Sequence, residues 1–257
     1  MTADDRPTAA LIIIGDEVLS GRTQDVNLKY LATRLGELGI PLREARVIPD
    51  DRAMIVATVN ELRHRYRYVF TTGGIGPTHD DITSECVAEA FGLPWEPHPE
   101  AWELLARDYA SRTPPVEFNA ARQRMATMPR GAALIRNAVS VAPGFRVENV
   151  YVLAGVPKVM QAMVEAIAPT LTGGRPTVSR TVHAARAMEG QIAAGLGAIQ
   201  AESPDVALGS YPYYRSAGGG VAIVARGVDA AAVDAAAEKV RALFRSLGFE
   251  PREGEPD

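Results

Sequence analysis

The sequence predicts an α/β protein with a mostly parallel sheet covered on both faces by helices, followed by a smaller α+β unit. Three observations carry this. Short apolar runs alternate with amphipathic helical stretches from residue 9 to about residue 90, the pattern of βαβ units. The alternation stops at Thr172-Gly173-Gly174-Arg175-Pro176, a Gly/Pro break of the kind found between domains. A chain of 257 residues also exceeds the roughly 100–150 residues of an average domain. The expected division is 1–173 and 174–257.

Residues 9–15 form a continuous apolar run ending in Gly15, as a strand buried on both faces should. Residues 27–38 place Leu28, Leu31, Leu35 and Leu38 at helical spacing, with Gly39 as the stop. Residues 40–48 read as a second strand, and Asp50 and Asp51 open a helix through about Arg65. Residues 68–72 are a third strand, followed at once by Gly73-Gly74-Ile75-Gly76-Pro77 and a helix expected from about Asp80. Residues 98–128 read as one or two helices around Pro114-Pro115. Short strands are expected at 134–135 and 150–153, and a closing helix at 157–171 with Pro157 in its first turn. Beyond the break come a strand (177–185), a helix (189–201), two strands (205–211 and 220–226) and an Ala-rich helix (229–247). Gly218-Gly219-Gly220 reads as a hairpin turn, and the tail after Gly248 as frayed.

Composition narrows the function. Hydrophobic content of 47% and charged content of 23% are globular values. Lys and Arg number 27 against 31 Asp and Glu, a net charge of −4, which argues against a nucleic-acid binder. The cluster Arg63-His64-Arg65-Tyr66-Arg67 reads as a solvated helix end. One Cys excludes an intrachain disulfide and a thiolate zinc cluster. No apolar run reaches membrane-span length, and the acidic start has no apolar segment behind a basic one, so a cytoplasmic protein is expected.

In an open parallel sheet, ligands bind beyond the carboxyl ends of the strands. Two such ends stand out: Gly15-Asp16-Glu17 with Asp25 and Asn27 downstream, and Thr72-Gly73-Gly74-Ile75-Gly76-Pro77-Thr78-His79-Asp80-Asp81. Glycines there let backbone N–H groups face an anion. Carboxylates beside them make sense when a divalent cation bridges acid to phosphate. Structural readings stand beside this one. Thr78 to Asp81 fits a capping box, and Asp25 a helix cap. Capping accounts for one acid per helix, not for two adjacent pairs, so a phosphate-chemistry site is preferred. Cys86 reads as a buried apolar residue, His79 as a polar neighbour of the acids, and Trp95 and Trp102 as packing residues.

The run TTGGIGPTHDDIT resembles the TGGxGP-xx-DD-x-T signature of molybdopterin-binding (MoaB/Mog-type) domains, in the version found at the N-terminus of CinA-type proteins. GDEVLSGRTQDVN resembles the strand-1 motif of that family. Gln123 with Met128-Pro129, then Ala142-Pro143-Gly144-Phe145 and Gly155-Val156-Pro157, follow in the family's order. The resemblance covers about residues 9–171, and the segment around residues 208–212 resembles a small KH-like domain. A similar pair of domains accompanies some eukaryotic FAD synthases. The resemblance implies a three-layer α/β/α sandwich plus that small domain, and homo-oligomers, most simply dimers.

It also implies roles. Asp81 and Glu17 match the acids that hold a metal, with Asp25 and Asp80 beside them. Gly15, Asn27, Thr72, Gly73, Gly74, Gly76, Pro77, Thr78, Gly155 and Pro157 match ligand-binding positions. The implied cofactors are a divalent metal (Mg²⁺ or Co²⁺) and K⁺. The leading expectation is a nucleotide pyrophosphatase acting on an ADP-ribose-like or FAD-like dinucleotide. The alternatives are a pterin-binding or adenylyl-transfer domain and a silent ligand-binding dimer. Two departures are noted: the C-terminal amidohydrolase domain of long CinA proteins is not in this sequence, and the usual PGVP is Ala154-Gly155-Val156-Pro157.

Overall fold

The computed structural model describes residues 7–215 and 218–256; the acidic segment 1–6 lies outside the described residues. The chain divides into two compact units, at Gly174 and Arg175.

The first unit runs β1 (Ala9–Ile14), α1 (Asp16–Leu19), α2 (Asn27–Glu37), β2 (Leu42–Ile48), α3 (Arg52–Arg65), β3 (Tyr68–Thr72) and α4 (Thr83–Ala90). It continues through β4 (Trp95–Pro97), α5 (Pro99–Ser111), α6 (Ala120–Gln123), β5 (Thr127–Pro129), β6 (Ala133–Ile135), β7 (Gly144–Val147), β8 (Val150–Leu153) and α7 (Pro157–Ile167). The main sheet has the order β2-β1-β3-β8-β7-β6. Its first four strands are parallel, and β7 runs antiparallel to both neighbours.

All six residues of β1 are buried, and the period of two sends alternate side chains to opposite faces. Ala10, Ile12 and Ile14 pack with Ile55, Val59 and Leu62 of α3 and with Cys86 and Val87 of α4. Ala9, Leu11 and Ile13 pack with Leu31 and Leu35 of α2 and with Met160, Met163 and Val164 of α7. Helices therefore cover both faces, as the unbroken apolar run demands. Each fully buried Leu or Ile here contributes about 1.5–3 kcal/mol. Leu28, expected on the apolar face of α2, is instead 37% exposed. Arg63, His64 and Arg65 form the last turn of α3, where Glu44 and Glu61 pair with Arg65.

The second unit runs β9 (Val178–Ala185), α8 (Glu189–Glu202), β10 (Ala207–Arg215), β11 (Gly218–Gly227), α9 (Ala230–Ser246) and β12 (Pro251–Glu253). Its sheet order is β10-β11-β9-β12. Val233, Ala237, Val240 and Phe244 of α9 are buried against that sheet.

Three expectations are corrected. The tail is not frayed: residues 251–253 pair with β9, whose outer edge offers unpaired backbone groups. Gly218, Gly219 and Gly220 are strand residues opposite Arg215, Tyr214 and Tyr213, not a turn. A Cβ on Gly220 would stand 2.6 Å from the Tyr213 hydroxyl, so the strand is glycine-rich because its neighbours come close. The helix after the glycine loop starts at Thr83 rather than near Asp80. The Thr83 N–H donates to Gly74 O (3.0 Å) and its hydroxyl to Gly73 O (3.0 Å). The loop therefore ends on Thr83, and Thr78 closes a turn instead of capping a helix.

Candidate functional site

From β1 the chain goes to β2 on one side and later to β3 on the other, so strand order reverses between β1 and β3. Ligands bind at such switch points. Gly15-Asp16-Glu17 and Gly73-Gly74 stand at those two strand ends.

Gly73 (φ +99°) and Gly74 (φ +67°) occupy backbone conformations that side chains disfavour. Gly73 also lies against the Ile14 carbonyl, and Gly155 against Gly73: a Cβ on Gly155 would stand 3.3 Å from the Gly73 Cα. Three backbone segments thus meet where only glycine fits. Around them opens a cleft of about 380 Å³, including open solvent, lined by Glu17, Asp25, Asn27, Thr72, Gly73, Gly155 and Pro157 among others. The Glu17 carboxylate folds back over Gly15, whose Cβ would stand 2.5 Å from Oε2. Asp25 Oδ1 accepts the Leu28 N–H (2.9 Å), holding the first turn of α2.

Two polar groups in this cleft lack partners among the described residues. Asn27 is 4% exposed, and its Nδ2 donates to Gly155 O (2.8 Å). A carbonyl only accepts, so the amide nitrogen must face it and Oδ1 is the free end. Asn27 Oδ1 has no hydrogen-bond partner, and neither does Thr72 Oγ1, on a residue 2% exposed. A buried polar atom left unpaired costs about 1–3 kcal/mol, and a ligand in this cleft would find an acceptor at Asn27 and a hydroxyl at Thr72 still unused.

The rest of the loop turns away. Gly76 lies under the Asp81 carboxylate, a Cβ there standing 2.6 Å from Oδ2. That oxygen accepts the Thr78 N–H (2.7 Å) and the Thr78 hydroxyl. Asp81 and Gly76 line a second hollow with Ile75, Ser84, Trp95 and Arg124. The Arg124 guanidinium lies 5.2 Å from the centre of the Trp95 ring and donates from Nη2 to Asp81 O (3.1 Å). Glu17 and Asp81 therefore line different hollows. Pro77, Thr78 and Asp80 are exposed, and the His79 side chain is 99% exposed.

Asp50, read from the sequence as a helix opener, instead reaches across to the start of α1, just after β1. Asp51 is the cap of α3, accepting the Met54 N–H (2.9 Å), while Asp50 Oδ2 accepts the Asp16 N–H (3.0 Å). Burial pushes the Asp50 carboxyl upward, the Asp16 N–H pulls it back, and the charges of Asp16, Glu17 and Asp80 add to the rise. A hard divalent cation takes carboxylate oxygens of this kind as ligands. Among the described residues, however, no group of three or more His, Cys, Asp or Glu side chains is arranged to hold a metal. Mg²⁺ is commonly held by one or two carboxylates with substrate phosphates completing its shell, and the acids present fit that mode. Cys86 is fully buried, and burial pushes its thiol up to about 11, so it packs and does not react. No helix among the described residues is long and apolar enough to cross a membrane.

Residues 10–173 match the protein-family model described as a probable molybdopterin binding domain, and residues 176–252 match that of the FAD synthase middle domain. A protein of Pyrobaculum calidifontis is 35% identical over 214 residues, covering 80% of this chain and 81% of that protein. A CinA-like protein of Citrifermentans bemidjiense is 38% identical over 169 residues, covering 64% of this chain and 40% of that protein. The crystal structure of the protein CinA with unknown function from Thermoplasma acidophilum superposes with a TM-score of 0.59 at 30% identity, covering 64% of this chain and 98% of that one.

Proposed function

Because the chain belongs to the molybdopterin-binding-domain family in its CinA-like form, with a unit matching the FAD synthase middle domain behind it, we propose that it is a nucleotide pyrophosphatase. Its substrate in this reading is an ADP-ribose-like or FAD-like dinucleotide. The observation that carries the reading is the cleft at the strand switch point, where Asn27 Oδ1 and Thr72 Oγ1 stand buried and unpaired beside the glycine loop. Those two atoms take the hydrogen bonds of the bound nucleotide. Backbone approach at Gly73 and Gly155 leaves room for a phosphate against the main chain. Glu17, Asp25 and Asp50 keep the cleft negative, and Asp81 holds the loop through Thr78. A divalent cation (Mg²⁺ or Co²⁺), with K⁺, would supply charge neutralisation at the phosphoanhydride; because Glu17 and Asp81 line different hollows, Glu17 would hold it in the cleft and Asp81 in the neighbouring hollow. The protein works in this reading as a cytoplasmic homodimer.

A second reading, pterin binding or adenylyl transfer, is favoured by the description of the matching family itself. The separating experiment incubates the protein with Mg²⁺ or Co²⁺, K⁺ and each of ADP-ribose, FAD, NAD and ATP. AMP release from a dinucleotide, lost in Asp81→Asn, supports hydrolysis. Tight molybdopterin binding with no AMP released would replace the first reading by the second.

A further inference from the structure

The cleft described above has a deficit. A diphosphate-bearing ligand carries at least two negative charges, yet the cleft contributes Glu17 and Asp25 and no basic side chain. Among the residues lining that cleft and the neighbouring hollow, Arg124 is the only basic one. It reaches the hollow from the turn after α6, far in sequence from the glycine loop, and touches it through Nη2 to Asp81 O.

Three features distinguish Arg124 from the arginines of the surface. Those at positions 34, 46, 52, 130 and 136 spend their donors on carboxylates. Among the described residues, Arg124 makes one side-chain hydrogen bond, to a main-chain carbonyl. Its Nε is buried with no partner, a cost the fold bears unless a ligand oxygen fills it. Its guanidinium carbon lies over the Trp95 ring, 5.2 Å from its centre, and that ring is itself pinned by donating from Nε1 to Ser84 Oγ (3.1 Å) and Thr127 O (3.0 Å). A guanidinium held by a cation–π contact and a main-chain hydrogen bond, with donors to spare, is the group best suited to two oxygens of one phosphate. The facing carboxylate, Asp81, is already turned onto Thr78 and Gly76.

We propose that Arg124, in the hollow beside Trp95, is a phosphate-holding residue that selects ligands carrying a diphosphate. This rests on the phosphoanhydride reading of the site only for its substrate; the binding role stands without turnover. A ligand spanning the glycine loop then has its nucleoside edge on Asn27 and Thr72 and a phosphate on Arg124.

The test uses the full chain and pyrophosphate as probe, followed by calorimetry, with adenosine as the uncharged comparison. Arg124→Gln is expected to weaken pyrophosphate by about 10–100-fold, the range for a charge-assisted pair, and to leave adenosine within about twofold. Arg124→Lys, which keeps the charge but not the fork, is expected to fall between. Arg130→Gln, an exposed arginine paired with Glu96, is expected to bind as the wild type does. Wherever a dinucleotide is turned over, Arg124→Gln should raise KM more than it lowers kcat. Equal pyrophosphate affinity in Arg124→Gln and wild type overturns the proposal. So does equal weakening in the Arg124 and Arg130 variants, or no pyrophosphate binding by the wild type. Should Arg124→Gln fail to fold, Arg124→Lys binding pyrophosphate as tightly as wild type is the refuting result. Loss of pyrophosphate affinity without AMP release by any form would leave this assignment standing and remove the hydrolase reading.

Discussion

Gly73→Ala tests whether the meeting of three backbones at the switch point is as close as it looks. Gly73 has φ +99°, and a Cβ there would stand far inside van der Waals contact with the carbonyl oxygen of Ile14, the last residue of β1. Backbone strain at a disfavoured φ costs about 1–3 kcal/mol, and overpacking a rigid neighbour adds about 1–3 kcal/mol. A total near 3–5 kcal/mol is expected. At about 2–4 °C per kcal/mol for a unit of this size, the first unit should melt roughly 6–20 °C lower. Gly21 is the internal comparison: its φ is +73°, yet nothing lies within 4 Å of its Cβ position. Gly21→Ala therefore carries only the conformational cost, about 1 kcal/mol, or roughly 2–4 °C. Thermal melts followed by circular dichroism, with ligand-free protein, compare the two. Equal losses would refute the close backbone approach at Gly73 and the cradle built on it.

Three further outcomes follow from the same geometry. Thr71 and Thr72 both carry buried hydroxyls with no partner, so valine at either should stabilise by about 1 kcal/mol; only Thr72 lines the cleft, so only Thr72→Val should weaken ADP-ribose in calorimetry, and equal effects would move the ligand elsewhere. Asp50 has its folded-state carboxyl raised above 3.8, so its ionisation disfavours the fold above that range; Asp50→Asn, which can still accept the Asp16 N–H, should melt higher than wild type at pH 7, with the gain vanishing below pH 3.8, and a pH-independent gain would contradict the cause given. Ending the chain after Gly174 should leave a cooperatively folded first unit, because the Tyr68 hydroxyl grips Thr172 N and O and Gly174 N donates to Gly39 O; a loss of the cooperative melt in residues 1–174 would show that the second unit is needed.

Much of this architecture is legible in the sequence wherever a segment is long and apolar. The runs at 9–14, 68–72 and 150–153 have no polar face to confuse their reading, and α9 shows its stripe plainly. What escapes is short or non-local. Strands β4, β5 and β7 have three or four residues, fewer than two periods of alternation, and β12 exists only because the edge of β9 is there to receive it. The glycine loop was legible as a motif, since glycines between a strand and a helix have few other uses. Its division between two hollows was not, because whether Asp81 shares a cleft with Glu17 depends on where Thr83 starts its helix. Asp50 looks from sequence like a cap; its partner, Asp16, is 34 residues away. Arg124 and Trp95 are brought to the loop by a turn after α6 and a three-residue strand, neither with a pattern of its own.

The amide bridge from Asn27 to Gly155 joins residues 128 positions apart. The cleft it closes draws its walls from residues 13–27, 72–73 and 155–157. No fragment that lacks β8 can hold that cleft, so occupancy is linked to the whole first unit and to none of its parts. A ligand at 100 times its dissociation constant should then raise the free energy of that unit's unfolding by about 2.7 kcal/mol. In a scanning calorimeter, the transition of the first unit should climb with ligand concentration while that of the second stays in place. The occupied cleft becomes a gauge of native topology, readable without any knowledge of the reaction it serves.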